Sequence, residues 1–425
     1  MTARRGACPG LSDPMPTGDG LLARLAVTRT LPLDAFAGLC SAARAHGNGI
    51  VEITSRGSIQ VRGLTPTSAL DFAAAIEALG VADPTGGRVI TGPLAGLDPD
   101  EIFDASPLAD RLRAVLIDTG LSTILAPKVS VVVDGGGAFA LDAISADIRL
   151  RAEAAGKGCC LHIAIAGDGE SATPIGTITP ENAVGTVVEL LKTLAARGPT
   201  VRARDIPALH LPLKGGRRPR EAGPGGGDPA MRSVSPHPVR FAAEPIGTHR
   251  LRDGSFALGI GFAFGHSDTG TLGHLMDEAR RAGAVSIRPA PGRLLLVIGI
   301  ATERAQALTT AARRRGFVVA PDDPRRRVVA CAGAPACAAA EIPTRALAPA
   351  IAAALPDDRQ ATIHISGCSK GCARPGSAAL TIVGIGGKCG IVRNGCAQDT
   401  PREVVAVEDL PASVGRGAPQ EVGHG

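Results

Sequence analysis

The feature that most restricts the fold is an internal repeat. Residues 20–64 read GLLARLAVTRTLPLDAFAGLCSAARAHGNGIVEITSRGSIQVRGL, and residues 254–300 read GSFALGIGFAFGHSDTGTLGHLMDEARRAGAVSIRPAPGRLLLVIGI. Both run apolar strand, loop, amphipathic helix, glycine, short strand, tight turn, second strand. The first copy predicts a helix over 33–46 and strands over 50–54 and 59–62. The second predicts a helix over 272–281 and strands over 285–288 and 294–298. A further helix follows each copy, over 67–79 and 302–314. In these Ala-rich stretches apolar residues recur at three- and four-residue steps, the helical period. A βαββα unit leaves one apolar sheet face to be covered. Two copies can therefore pair into one pseudo-symmetric α+β domain.

Each copy is followed by a longer stretch of mixed strand and helix, the first ending in a helix over 180–197. Residues 201–238 then collect Arg, Pro and Gly, including RRPREAGPGGGDP, and read as a flexible linker. The expected division is a first half repeat over 12–90, a mixed domain without metal ligands over 91–200 and the linker over 201–238. A second half repeat over 239–316 and a metal-ligating mixed domain over 317–415 complete it.

Charge argues against nucleic acid as the partner. The chain has 45 Lys+Arg against 40 Asp+Glu, a net +5, and neither Trp nor Tyr for base stacking. The Arg surplus suits carboxylate ligands, although a solvated surface explains it equally. Arg4 and Arg5 precede Gly-Ala-Cys-Pro-Gly rather than an apolar leader core. No apolar run reaches the roughly 18 residues of a membrane span. A cytoplasmic location, with no membrane, is expected.

Four of the ten cysteines form two arms: CAGAPAC places Cys331 and Cys337 six apart, and GCSKGC places Cys368 and Cys372 four apart. In a reducing compartment this reads as metal binding before disulfide. A [4Fe–4S] cluster needs four thiolates on one wall, with small residues between them so that backbone can approach. Gly333, Ala334, Ala336, Gly367 and Gly371 meet that need. Zinc, which favours shorter arms, and four unrelated buried cysteines remain the alternatives. Cys159 and Cys160 read as strand core, Cys389 and Cys396 as structural, and Cys8 and Cys40 as non-ligands. His266-Ser267-Asp268 has the H-x-D spacing of a mononuclear non-heme iron site, yet it also precedes a helix that Ser267 or Asp268 would cap. His364 lies just before the second cysteine arm. The glycines Gly259, Gly261 and Gly265 fall where the repeat demands a strand, so no dinucleotide site is expected. Electrons should come from a separate protein, an NADH-dependent reductase or a ferredoxin.

With the cysteine arms set after a duplicated βαββα unit, the chain resembles the siroheme-dependent nitrite/sulfite reductase superfamily, and within it the precorrin-3B synthases. The stretches that carry the resemblance are RRGACPG…PTGDGLLARL (4–25), TSRGSIQVRGL (54–64), GPLAGLDP (92–99), LAPKVSVVVDGGG (125–137), IRPAPGRLLLV (287–297) and HISGCSKGCARPGSAALTIVG (364–384). The resemblance implies an α+β fold of duplicated ferredoxin-like half-domains plus two reductase-type α/β domains, the C-terminal one carrying the [4Fe–4S] cluster on Cys331, Cys337, Cys368 and Cys372. In the reductases the cysteine matching Cys372 bridges cluster and heme iron. The activity implied is a monooxygenase step of aerobic cobalamin biosynthesis. In it precorrin-3A is hydroxylated at C-20 with O2, and a γ-lactone closes with the ring A acetate. The alternative is an assimilatory nitrite or sulfite reductase, with siroheme as cofactor. The reductases' T-x-R-Q motif is matched by Thr54-Ser55-Arg56, with Gly57 in place of Gln. Their Arg-Lys-x-Lys motif retains only Lys128, with Ala126 and Ser130 at the flanking basic positions. Their Asn-Arg-Asn motif has no clear counterpart near 95–110. Arg288 and Arg293 are the corresponding substrate-binding candidates in the second copy. No catalytic residue is singled out.

Overall fold

The computed structural model describes residues 9–206, 245–355 and 361–415, except position 157. The first copy forms β1 (Met15–Thr17), β2 (Gly20–Leu25), β3 (Leu31–Pro32), α1 (Leu33–His46), β4 (Ile50–Ile53), β5 (Ile59–Leu64) and α2 (Pro66–Leu79). Next come β6 (Val89–Thr91), α3 (Ala105–Asp118), the single turn α4 (Leu121–Ile124), β7 (Val131–Asp134), β8 (Ala146–Ala155), β9 (Gly158–Gly167), β10 (Thr173–Ile178) and α5 (Pro180–Arg197). The second copy forms β11 (Gly247–Arg250), β12 (Phe256–Gly261), β13 (His266–Asp268), α6 (Thr269–Arg281), β14 (Ser286–Ala290), β15 (Leu294–Ile300) and α7 (Ala305–Arg314). The chain ends with β16 (Val328–Ala330), α8 (Thr344–Ala354), β17 (Ile363–Ser366), β18 (Ala378–Ile385), β19 (Lys388–Gly395), β20 (Glu403–Val405) and α9 (Leu410–Gly415).

The two copies interlock. One sheet has the order β1-β2-β5-β4-β13 and the other β11-β12-β15-β14-β3, so each takes its last strand from the opposite copy. Phe36, Phe72, Val61 and Leu25 of the first copy share one core with Met276, Leu295, Val297 and Phe317 of the second. Each such side chain, once fully buried, contributes about 1.5–3 kcal/mol. Neither half could cover its apolar face alone. The helices have local stop and start signals. Thr65 accepts from the Ser68 N–H at 3.0 Å to open α2, and Gly80 closes it with φ 61°.

The two mixed sheets have the same plan, β10-β9-β8-β7-β6 and β16-β17-β18-β19-β20, and the same register. Val89 pairs with Val131 and Val131 with Ile148, just as Val328 pairs with Ile363 and Ile363 with Leu380. In the first sheet α3 and α5 cover one face through Leu108, Leu112, Val187 and Leu191. Residues 201–206, within the stretch read as a linker, pack on the first mixed sheet. Arg202 makes an ion pair at 2.8 Å with buried Asp147, and Ala203 is buried against the sheet. A buried carboxylate needs such a partner, which holds 201–206 in place. Most of 201–238 lies outside the described residues.

Candidate functional site

The first cysteine arm leaves the end of β16 and the second connects β17 to β18. Cys331 is held from several sides. Its N–H donates to the Ile365 carbonyl at 3.2 Å, and its sulfur accepts from the Gly367 N–H at 3.1 Å. The Thr344 hydroxyl at the start of α8 donates to its carbonyl at 2.6 Å. Gly333 turns the arm with φ 69°, and a Cβ there would lie 2.4 Å from the Thr344 hydroxyl. Gly371 turns the second arm with φ 61°. The β1–β2 turn sits on the first arm: the Gly18 N–H donates to the Ala336 carbonyl at 3.2 Å. Arg62 of β5 pairs with Asp19 at 3.1 Å and donates to that same Ala336 carbonyl.

Cys331, Cys337, Cys368 and Cys372 line one cavity of about 660 Å³, between the β1-β2-β5-β4-β13 sheet and the cysteine arms. The Cys372 thiol is pushed up first by burial and then by its neighbours Cys368, Cys331 and Cys337, against the opposing charge of Lys370. No three of the four sulfurs lie within 4.8 Å of one another. A single tetrahedral zinc would need them roughly 3.8 Å apart. The four thiols make an all-sulfur donor set along one cavity wall, with the Gly367 N–H aimed at the Cys331 sulfur.

The same register exposes what the first mixed sheet lacks. Counted from the strand ends, Gly92, Asp98, Gly136 and Ala140 stand at the sequence positions that correspond to Cys331, Cys337, Cys368 and Cys372. Asp98 is buried and accepts from the Ala138 N–H at 2.6 Å and the Asp100 N–H at 2.9 Å. Its carboxylate ties together the loops around residues 98–100 and 138.

The anion-binding candidates divide between two adjoining cavities. Thr54 and Arg293 line the cysteine cavity, whereas Arg56, Lys128 and Arg288 line a second cavity of about 380 Å³. Arg24 lies in the wall of both. The Thr54 hydroxyl accepts from the Ser58 N–H at 3.1 Å and so shapes the turn that presents Arg56, which donates to the Ser145 carbonyl at 3.1 Å. Arg293, held at φ 65°, reaches across to the Ala373 carbonyl at 3.2 Å, and burial lowers its pKa. Lys128 is exposed, between buried Ala126 and Ser130. Arg288 differs from the others. It is buried, donates to the Thr91 hydroxyl at 2.8 Å and the Thr28 carbonyl at 3.1 Å, and its pKa is lowered to about 10, by burial first and Arg113 second. Its guanidinium holds the cavity wall together.

Other expectations change on contact with the structure. Asp268 caps α6, accepting from the Thr271 N–H at 2.8 Å and the Thr271 hydroxyl at 2.6 Å. Among the described residues, His266 and Asp268 fall in no group of three possible metal donors within 4.8 Å. Cys159 and Cys160 are half-buried rather than core, because β9 begins there at the exposed end of its hairpin with β8. Cys40 and Cys389 are buried in cores, and burial pushes the Cys40 thiol up to about 12. Cys8 lies outside the described residues. His364 is fully buried beneath the second arm, with neither ring nitrogen hydrogen-bonded. Arg24 and the pair Glu52–Arg345, 2.6 Å across the cysteine cavity, escaped sequence reading. The only signal was charge at strand positions 24 and 52, in otherwise apolar runs.

Comparison with known proteins agrees with this architecture. Residues 13–79 match the nitrite/sulfite reductase ferredoxin-like half domain. A precorrin-3B synthase from Sinorhizobium sp is 39% identical over 401 residues, covering 94% of this chain and 84% of that protein. An assimilatory ferredoxin-dependent nitrite reductase from Haloferax mediterranei is 26% identical over 379 residues, covering 80% of this chain and 64% of that protein. The Mycobacterium tuberculosis NirA structure superposes with a TM-score of 0.71 at 18% identity, covering 93% of this chain and 80% of the other.

Proposed function

Because the chain belongs to the precorrin-3B synthase family, we propose that it is the oxygenase that converts precorrin-3A to precorrin-3B in aerobic cobalamin synthesis. The observation that carries this reading is one of adjacency. A four-thiol cavity and a basic cavity meet at Arg24, so a redox centre and a polycarboxylate ligand would share one space.

Cys331, Cys337, Cys368 and Cys372 would hold a [4Fe–4S] cluster. When bound there, the cluster supplies electrons one at a time. The rest of the work falls to the protein's side chains. Arg24, Arg56, Lys128 and Arg293 surround space of a size that takes a large cofactor, and their cations suit the carboxylates of a tetrapyrrole. Each charge-assisted contact would contribute about 1.5–3 kcal/mol. In the reaction one oxygen atom of O2 enters at C-20 and the other leaves as water, with two electrons drawn through a separate reductase or ferredoxin. Lactone closure then uses the ring A acetate. In this reading 317–415 carries the cluster, 91–200 is its ligand-free counterpart, and 12–90 with 239–316 forms the platform between them.

The competing reading is a siroheme-dependent nitrite or sulfite reductase, which the fold accommodates. The family match to a precorrin-3B synthase and the replacement of two basic positions by Ala126 and Ser130 favour the oxygenase, because a small anion needs a dense cationic cage. Acid–acetone extraction of anaerobically purified protein tests the choice. The expected result is about four iron and four acid-labile sulfide per chain with no iron tetrapyrrole. Siroheme equimolar with protein, together with turnover of nitrite or sulfite, would overturn the proposal.

A further inference from the structure

The face of the first mixed sheet opposite α3 and α5 carries a second donor set. Glu153 on β8 stands directly opposite Cys160 on β9, and His162 follows two residues on, so all three project from the same face. Their ligand atoms, one carboxylate oxygen, one thiol sulfur and one imidazole nitrogen, all lie within 4.8 Å of one another. None of the three lines the cysteine cavity or the basic cavity.

Two details aim the set. The Thr177 hydroxyl on β10 lies 3.4 Å from Nδ1 of His162, and the other ring nitrogen, Nε2, faces the Glu153 carboxylate. An imidazole fixed through one nitrogen and presenting the other is the usual arrangement of a metal-ligating histidine. The side chains are also only partly covered, 35% exposed for His162 and 46% for Glu153, which leaves room for a solvent ligand. A histidine–glutamate pair alone would be an ordinary surface ion pair. The thiol in register with Glu153 turns it into three mixed donors around one point.

We propose that Glu153, Cys160 and His162 bind one divalent transition-metal ion of the zinc type, with water as fourth ligand. Sulfur, nitrogen and oxygen donors in tetrahedral number suit zinc and exclude magnesium and calcium, which take oxygen only. On binding, Cys160 releases its thiol proton to solvent and the ion clips the open end of the β8–β9 hairpin. The site is separate from the cysteine cavity and does not depend on the reaction assigned to it.

The test uses full-length protein purified anaerobically with its iron–sulfur content intact. Zinc is titrated against a chromophoric chelator, and alkylation of Cys160 is followed by peptide mass spectrometry, with Cys159 as reference. The expected result is one equivalent of zinc that slows alkylation of Cys160 at least about tenfold and leaves Cys159 unchanged, with magnesium without effect. Glu153→Gln, Cys160→Ala and His162→Ala should each weaken zinc binding at least about tenfold. Alkylation of wild-type Cys160 at the same rate with and without zinc overturns the proposal, and needs no variant to fold. So does equal zinc affinity in wild-type and His162→Ala protein.

Discussion

At the scale of single residues, the cysteine cavity makes sharp demands. Substituting Ser for any of Cys331, Cys337, Cys368 or Cys372 should strip or degrade the cluster, whereas Cys40→Ser, in the core of the paired repeats, should retain it. Iron and sulfide assays on each variant decide this, and full content in all four would refute the ligand set. Arg56→Ala and Lys128→Ala should each weaken binding of the tetrapyrrole by about 1.5–3 kcal/mol and leave the cluster spectrum unchanged. Arg288→Ala should behave differently, costing stability as well, because its contacts are to Thr91 and Thr28 inside the protein. Chemical denaturation alongside ligand titration separates the two effects. Much of this site was legible in the sequence. Four thiols at fixed spacing announce themselves, and the turn residue Arg56 and the loop residue Lys128 stand in motifs. Arg24 and the Glu52–Arg345 pair were not legible, because their roles arise from contacts between elements far apart in the chain.

At the scale of elements, close backbone approach holds the arms. Gly18 packs so tightly that an added Cβ would lie 2.3 Å from the Pro335 carbonyl oxygen. Gly18→Ala should therefore push the β1–β2 turn off the first arm, lower cluster occupancy and preserve the overall fold. Circular dichroism read beside the iron content would show this; unchanged occupancy would mean that the turn does not brace the arm. The helices and strands of the repeat were legible to within a few residues, as α1 and α2 show, because amphipathic period and capping are local. The exchange of β3 and β13 between the copies was not. Each is only two or three residues long, and its pairing depends on where the other copy packs. The half-exposed Cys159 and Cys160 misread for a related reason: an apolar run does not say where a hairpin outgrows its sheet.

At the scale of the whole molecule, acid should reveal the buried imidazole of His364. Burial first, then Arg374 and Arg293, depress its pKa from 6.5 to about 4. Between those values the unfolded chain binds the proton more readily than the folded one. The contribution of this imidazole to stability is therefore whole above pH 6.5 and lost as pH falls toward about 4. Denaturant midpoints at several pH values should show that slope in the wild type and a shallower one in His364→Leu; equal slopes would remove His364 from the account. The duplicated architecture gives the larger asymmetry its meaning. Two mixed sheets share one plan, yet only the loops of the second carry the four thiols, and Gly92, Asp98, Gly136 and Ala140 stand at the corresponding sequence positions of the first. One half thus lines the four-thiol cavity, while the other contributes Lys128 to the wall of the basic cavity. The most direct test of the central claim is turnover of precorrin-3A by the reduced protein under isotopically heavy O2, with mass analysis of the recovered macrocycle. The account predicts a lactone-bearing product containing one heavy oxygen atom. A macrocycle recovered without heavy oxygen, from protein with a full cluster and a working electron donor, would contradict it.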